Sequence, residues 1–141
     1  MKNDQEMLEL LRKRTPPCLL MLGGHIDAVD TTAGSATLSF KLTHDFCHSG
    51  DIVQGGFITG MVDAAMSHAL IARTGAGSAV PTLEIKVSFF EPGHPGRFRA
   101  VGQVARQGRS TAFLEGTLYN EQDGIVAKAT ATARIVHLHK K

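Results

Sequence analysis

Residues 55–72, GGFITGMVDAAMSHALIA, contain a single formally charged residue, Asp63. The apolar residues around it are mostly helix formers that recur at helical spacing, so the stretch predicts one long helix. They cover more than one stripe of this helix, and we therefore expect protein to surround it. Burying a carboxylate is costly unless another group pairs with it or uses it. Asp63 is accordingly the first candidate for chemistry.

Gly55 and Gly56 lie at the start of the predicted helix. The first backbone N–H groups of a helix have no partner within it, and the helix dipole favours negative charge there. The stretch therefore offers an anion-stabilising helix end and, farther along, an acid.

Composition narrows the class of protein. A length of 141 residues predicts one domain, residues 1–141. The net charge is +2 with the two signs interspersed, which gives no indication of nucleic-acid binding. Cys18 and Cys47 form no disulfide framework, and no signal peptide or membrane-spanning stretch is recognisable, so we expect a soluble cytoplasmic protein without membrane partners.

The remaining chain reads as a short N-terminal helix at 3–14, followed by strands and turns. The strands are expected at residues 25–30, 35–42, 82–90, 97–106, 110–120 and 125–137. Residues 43–54 are predicted to form a polar loop, and residues 139–141 to fray. In the strand 82–90, Leu83, Ile85, Val87 and Phe89 alternate onto one face. A single apolar helix needs a sheet wrapped round it, so the fold class is α+β with an antiparallel sheet.

This pattern resembles the hotdog-fold acyl-CoA thioesterases, and among them the PaaI-like branch of the phenylacetate pathway. The resemblance covers roughly 24–136 and is sharpest over 48–68. Residues 81–92, PTLEIKVSFFEP, resemble the strand after the helix, and 107–110, QGRS, resemble the turn beside the CoA groove. The resemblance implies hydrolysis of a thioester to an acid and CoA by a homodimer or homotetramer. It implies no metal or redox cofactor, coenzyme A being part of the substrate.

One motif departs from the family. The usual sequence is His-Gly-Gly, preceded six residues earlier by Asn or Gln, whereas this chain has Gln54-Gly55-Gly56 preceded by His48. Amide and imidazole are exchanged, and both donate hydrogen bonds, so either can polarise a carbonyl. The exchange also leaves open the alternative that this chain is a non-catalytic protein with the same fold that binds acyl-CoA or another small ligand.

The resemblance implies catalytic roles for five residues. The Gly55 N–H, helped by His48 or Gln54, would stabilise the oxyanion, and Thr82 would hold the attacking water. Asp63 would act as general base or nucleophile. At a rise of about 1.5 Å per residue, Asp63 lies about 10 Å along the helix from Gly56. We therefore expect each site to combine Gly55 of one chain with Asp63 of the facing chain.

The expected substrate-binding residues fall into two groups. Ser67, one helical turn after Asp63, and the apolar Met66 are candidates for the pocket of an aryl or medium-chain acyl group, and Gly56 for the helix end. Arg109 and Ser110 are candidates for the CoA phosphates. The spacing of His44, Cys47, His48 and Asp51 matches no strong zinc pattern, so no metal site is predicted.

Overall fold

The computed structural model describes residues 1–138, and the predicted fraying of residues 139–141 lies outside this range. The helices are α1 (Asp4–Lys13), α2 (Pro17–Met21) and α3 (Gly55–Thr74). The strands are β1 (His25–Asp30), β2 (Ser35–Leu42), β3 (Cys47–Ser49), β4 (Ile52–Val53), β5 (Ser78–Ala79), β6 (Thr82–Phe89), β7 (Gly96–Gln107), β8 (Thr111–Tyr119), β9 (Ile125–Arg134) and β10 (Val136–His137). Asn3 caps α1 through its side chain, which accepts a hydrogen bond from the Glu6 N–H at 2.9 Å.

Six strands form one antiparallel sheet in the order β1-β2-β7-β8-β9-β6, and α3 contacts every one of them. Within it, β1 and β2 form a hairpin, and β7, β8 and β9 form an antiparallel meander. The α+β hotdog arrangement, a sheet around one long central helix with a short helix before it, is confirmed. No helix within residues 1–138 has the length and apolarity needed to cross a membrane.

Two glycines let α3 lie directly on the sheet. Gly102 of β7 and Gly116 of β8 are cross-strand partners. A Cβ on Gly102 would lie 2.2 Å from the Ala65 carbonyl oxygen, and one on Gly116 would lie 2.6 Å from Cγ2 of Val62. Any larger residue would push the helix off the sheet, so this pair sets the depth at which α3 sits.

Two segments differ from the sequence prediction. The predicted loop 43–54 contains a short 3₁₀ turn, His44–Phe46, and the small hairpin β3–β4. The predicted last strand leaves the sheet at Ile135, whose N–H donates to the Ser110 carbonyl at 2.8 Å. Its last part, β10, pairs with β5 instead, a long-range pairing that local alternation does not encode.

The expectation that protein surrounds α3 is wrong for the single chain. The sheet covers one side of the helix, and a stripe on the other side stays exposed or half-buried. This open stripe consists of Gly56, Gly60, Asp63, Ala64, Ser67, Ile71 and Thr74. The neighbouring edge strand β6 is also poorly covered, because its side chains Leu83 and Phe89 are 58% and 55% exposed. A register shift near Leu83 breaks the alternation there.

Candidate active site

The start of α3 presents one free backbone donor. Gln54 is the N-cap residue, in an extended conformation, and its Oε1 accepts a hydrogen bond from the Gly56 N–H at 2.8 Å. The Gly55 N–H has no hydrogen-bond acceptor among residues 1–138. Because Gln54 already occupies the Gly56 N–H, Gly55 is the residue able to donate to a developing oxyanion.

A cleft of about 360 Å³ opens beside this donor. It is lined by His48, Ile52, Val53, Gly55, Ile58, Phe89, Phe90, Glu91, Pro92 and Gly93. His48 Nδ1 lies 2.7 Å from Ser49 Oγ, which leaves Nε2 as the ring nitrogen available to a ligand. Of the two exchanged residues, His48 therefore lines the cleft, whereas Gln54 caps the helix.

Two loops form the walls of this cleft and are joined to each other. The Val53 N–H donates to the Gly93 carbonyl at 2.9 Å. His94 Nδ1 lies 3.0 Å from the Asp51 carbonyl oxygen and 3.2 Å from its carboxylate Oδ2. These contacts hold the segment that carries His48 against the segment after β6.

Asp63 and Thr82 form a second centre. The Thr82 Oγ1 donates to Asp63 Oδ1 at 2.8 Å, so the structure joins the two residues that the sequence proposed for water activation. Asp63 is half-buried rather than fully buried, because it lies on the open stripe of α3. Its second carboxylate oxygen has no hydrogen-bond partner within residues 1–138 and remains able to accept a proton.

The two centres lie at opposite ends of β6. Phe89, the last residue of the strand, packs against Gly55, with Cζ 3.3 Å from where a Cβ of Gly55 would be. Thr82, the first residue, is bonded to Asp63. Along α3, the eight residues from Gly55 to Asp63 span about 12 Å at a rise of about 1.5 Å per residue. A single thioester carbon therefore cannot contact both centres of one chain.

Arg109 and Ser110 lie in the exposed turn between β7 and β8. Across the sheet, Gln107 pairs with Ala112, Ala112 pairs with Ala133, and Ala133 pairs with Thr82. The turn therefore lies at the Thr82 end of the sheet, on the same side as Asp63 and far from Gly55. The structure brings these two residues toward the acid and not toward the cleft.

Met66 is fully buried, and its side chain lies against Gly116. The expectation that Met66 lines the acyl pocket is therefore corrected: it is a core residue that fixes α3 on the sheet. Ser67 is half-buried on the open stripe and forms no hydrogen bond with Asp63 in the described part of the chain. Gly56 is exposed, with its N–H taken by Gln54.

Two other ionisable groups near the site have shifted pKa values. Burial, together with the Asp51 carboxylate, raises the pKa of the Cys47 thiol, which therefore stays protonated and is a poor nucleophile. Burial lowers the pKa of His68, partly opposed by the hydrogen bond between its Nδ1 and the Ala64 carbonyl at 2.8 Å. His68 is thus neutral at pH 7. Within residues 1–138 no group of three or more His, Cys, Asp or Glu side chains is arranged to hold a metal ion.

The sequence reasoning missed the aromatic wall of the cleft. Phe89 and Phe90 both line it, although the sequence placed Phe89 only on one face of a strand and predicted no role for Phe90. The available signal was the sequence Phe-Phe-Glu-Pro at 89–92, in which the strand ends directly after two adjacent aromatic rings.

Comparison with known proteins identifies the family. The family model of the Thioesterase superfamily matches residues 50–127, which include Gly55, Asp63 and Thr82. The chain belongs to the thioesterase superfamily. It is a thioester hydrolase, and the predicted likeness to PaaI-like hotdog thioesterases is confirmed.

Solved structures agree with this assignment. The chain is 32% identical to a phenylacetic acid degradation-related protein of Ralstonia eutropha JMP134, covering 91% of this chain and 98% of that one with a TM-score of 0.82. The PaaI protein of E. coli, from the phenylacetic acid degradation operon, shares the fold at 20% identity, with a TM-score of 0.85 over 98% of this chain and 100% of that one. The Haemophilus influenzae thioesterase HI1161 shares it at 16% identity, with a TM-score of 0.82 over 99% and 94%.

Proposed function

We propose that this thioesterase hydrolyses acyl-CoA esters with an aryl or medium-chain acyl group, in sites that two chains share. The observation that carries the proposal is the separation of the two centres. The oxyanion donor Gly55, with His48 beside it, lies at one end of β6, and the Asp63–Thr82 pair lies at the other. Each chain holds two halves of different sites rather than one complete site.

A dimer with antiparallel α3 helices would bring complementary halves together. Such a dimer covers the open stripe of α3 and the exposed Leu83 of the edge strand β6, which lie next to the Asp63–Thr82 centre. Gly55 of one chain then faces Asp63 of the other, and the arrangement repeats by two-fold symmetry. Dimers of this kind can pair again into tetramers without changing the site.

The proposed reaction uses water and the ester alone. The carbonyl oxygen accepts hydrogen bonds from the Gly55 N–H and from His48, and Asp63 removes a proton from water as its oxygen attacks the carbonyl carbon. The tetrahedral intermediate then breaks its C–S bond, and the thiolate leaves and takes up a proton. In the alternative path the Asp63 oxygen attacks the carbonyl carbon and the C–S bond breaks, which releases the CoA thiolate, and water then cleaves the resulting anhydride and restores the Asp63 carboxylate. No metal or redox cofactor takes part in either path.

Coenzyme A would enter from the end where Arg109 and Ser110 lie. Arginine forms paired hydrogen bonds with phosphate oxygens, and the turn that carries Arg109 lies at the same end of the sheet as Asp63. We also propose a cytoplasmic location. It is supported by Cys18 and Cys47, which are both unpaired, as in a reducing compartment.

The shared site is tested by mixing two inactive variants. Gly55→Pro removes the N–H at the first helical position, where proline is tolerated, and the extended Gln54 before it suits a following proline. Gly55→Ala is the matched control, because it adds a Cβ but keeps the N–H. We expect Gly55→Pro to release thiol at least about 100-fold more slowly than Gly55→Ala.

Co-expression of Gly55→Pro with Asp63→Asn then decides where the halves meet. In a mixed dimer one site carries both changes and the other carries neither. Random pairing should therefore restore about a quarter of wild-type thiol release per chain. If the mixture stays as inactive as its parents while mixed dimers are present, the shared site is refuted. Tight binding of acyl-CoA by a wild-type protein without thiol release would instead favour the non-catalytic binding protein.

A further inference from the structure

The Phe89 ring lies on the residue that donates to the oxyanion. Its Cζ and Cε1 atoms lie 3.3 and 3.4 Å from the position that a Cβ would take on Gly55. The ring is 55% exposed, it lines the cleft, and its cross-strand partner is the small Ala127. The ring is therefore in contact with the helix end on one side and open to a ligand on the other.

A carbonyl bound at Gly55 must come close to this ring. An N–H···O distance of about 2.9 Å and a C=O bond of about 1.2 Å place the carbonyl carbon about 4 Å from the Gly55 nitrogen. The two groups on that carbon are then within van der Waals range of a ring that contacts the same residue. One of them is the sulfur of CoA and the other is the first carbon of the acyl chain.

The lining of the cleft decides which of the two lies against the ring. The walls next to Phe89 are apolar and include Ile58, Phe90 and Pro92. An acyl chain gains free energy there, whereas the amides and phosphates of CoA would lose their hydrogen bonds to water. The first acyl carbon therefore packs against Phe89, and the CoA chain leads outward.

We infer that Phe89 determines selectivity at the carbon next to the thioester carbonyl. A flat ring accepts a CH₂ group at this position, as in straight-chain or arylacetyl esters. A branch that points from the same carbon toward the ring would overlap with it. The inference rests on the proposed function and narrows its substrate class to acyl groups unbranched at this carbon.

The test compares two isomeric esters, hexanoyl-CoA and 2-methylpentanoyl-CoA, with wild type, Phe89→Ala and Phe113→Ala. Phe113 is a matched control: it is 51% exposed and lies on β8 between the buried Ala112 and Leu114, and so on the sheet face away from α3. One methyl group in an apolar pocket changes kcat/KM about 10- to 200-fold. We expect Phe89→Ala to shift the ratio of kcat/KM toward the branched ester by about tenfold or more, and Phe113→Ala to leave it within about twofold. Equal ratios in Phe89→Ala and Phe113→Ala would overturn the inference.

Binding measurements separate this inference from the proposed function. Ketone analogues of both esters, with a CH₂ between sulfur and carbonyl, cannot be hydrolysed, and calorimetry gives their dissociation constants. If wild type cleaves neither ester, the proposed function fails, and the ratio of the two dissociation constants in Phe89→Ala and wild type still decides the role of Phe89. If wild type cleaves the straight ester but the ratios do not move, the function stands and the inference about Phe89 fails.

Discussion

The two ends of the reactive part of α3 differ in chemistry. At Gly55 the helix offers a backbone donor, an imidazole and an apolar cleft, which suit the carbonyl and acyl chain of an ester. At Asp63 it offers a carboxylate held by a hydroxyl on a half-open surface, which suits water. Neither end contains what the other provides.

The proposed dimer would account for the incomplete covering of both ends. In the single chain the Asp63 stripe and the edge strand β6 stay open. In the proposed dimer each end is a half-site that the second copy completes. The comparison of the two ends therefore predicts how variants at each end should differ.

The largest effect is expected at the acid. Asp63→Asn keeps the shape of the side chain and an oxygen that accepts the Thr82 hydrogen bond, but it neither takes a proton from water nor attacks a carbonyl. We expect thiol release to fall by at least about 100-fold while the free energy of unfolding changes by less than about 1 kcal/mol. Thiol release and urea unfolding, measured on the same preparation, check both values.

Glu115→Gln is the control for Asp63→Asn, because it removes one negative charge from an exposed position of β8. It should leave thiol release near wild type. Normal turnover by Asp63→Asn would remove Asp63 from the chemistry and make the Gly55 end the whole site.

A smaller effect is expected from the hydroxyl that holds the acid. Thr82→Val keeps the shape of the side chain but removes the hydrogen bond to Asp63, and Thr82→Ser keeps the bond. A hydrogen bond to a charged group is worth about 1.5 kcal/mol or more, so kcat should fall about tenfold in Thr82→Val and much less in Thr82→Ser. Equal kcat values for the two variants would show that the hydroxyl does not assist Asp63.

Most of the fold could be predicted from the sequence, because most of its elements follow local patterns of apolar and polar residues. The sequence predicted β1 and β2 with their observed bounds, β2 from its alternation, and helical spacing predicted α3 to within two residues of its end at Thr74. The pairing of β10 with β5 was not readable, since it joins residues far apart in the chain. The Gly102–Gly116 pair could have been noticed, because glycine inside a strand marks a close approach.

The sequence predicted which residues belong to the site but not which way their side chains point. Asp63 and Thr82 were placed together by resemblance, and the structure bonds them. The roles of His48 and Gln54 could not be separated from sequence, because both side chains donate hydrogen bonds, and which of them faces the cleft depends on the path of residues 47–53. Met66 was misassigned because an apolar residue of a central helix looks the same whether it faces a ligand or the sheet.

Variants of Gln54 should therefore lose mainly stability, and variants of His48 mainly activity. Gln54→Ala removes a helix cap and should lower the free energy of unfolding by about 1 kcal/mol, with thiol release changed only a few-fold. Gln54→Asn, which restores a capping side chain, should recover that stability. His48→Ala should do the reverse, lowering kcat with little change in unfolding. If Gln54→Ala loses thiol release as His48→Ala does, at unchanged stability, the amide belongs to the chemistry.

The smallest effect concerns pH, and it separates the fold from the site. His68 lies farther along α3, and burial lowers its pKa, so the folded chain keeps it neutral in a range where the unfolded chain binds a proton. The ordinary pKa of histidine is about 6.5. Below that value the unfolded state binds more protons, so stability falls as the pH drops, and the fall levels off below the lowered pKa of the folded state. Above it, His68 makes no such contribution.

Urea unfolding of wild type and His68→Gln at pH 8 and pH 5.5 measures this loss. His68→Gln should show a smaller decrease in stability between the two pH values, because glutamine does not titrate. An equal decrease in both would mean that His68 becomes protonated without cost in the fold. A smaller decrease in His68→Gln would show that His68 lowers the free energy of unfolding in acid. The pH profile of thiol release is then assigned to Asp63 or His48 only over the range in which urea unfolding shows the chain to be folded.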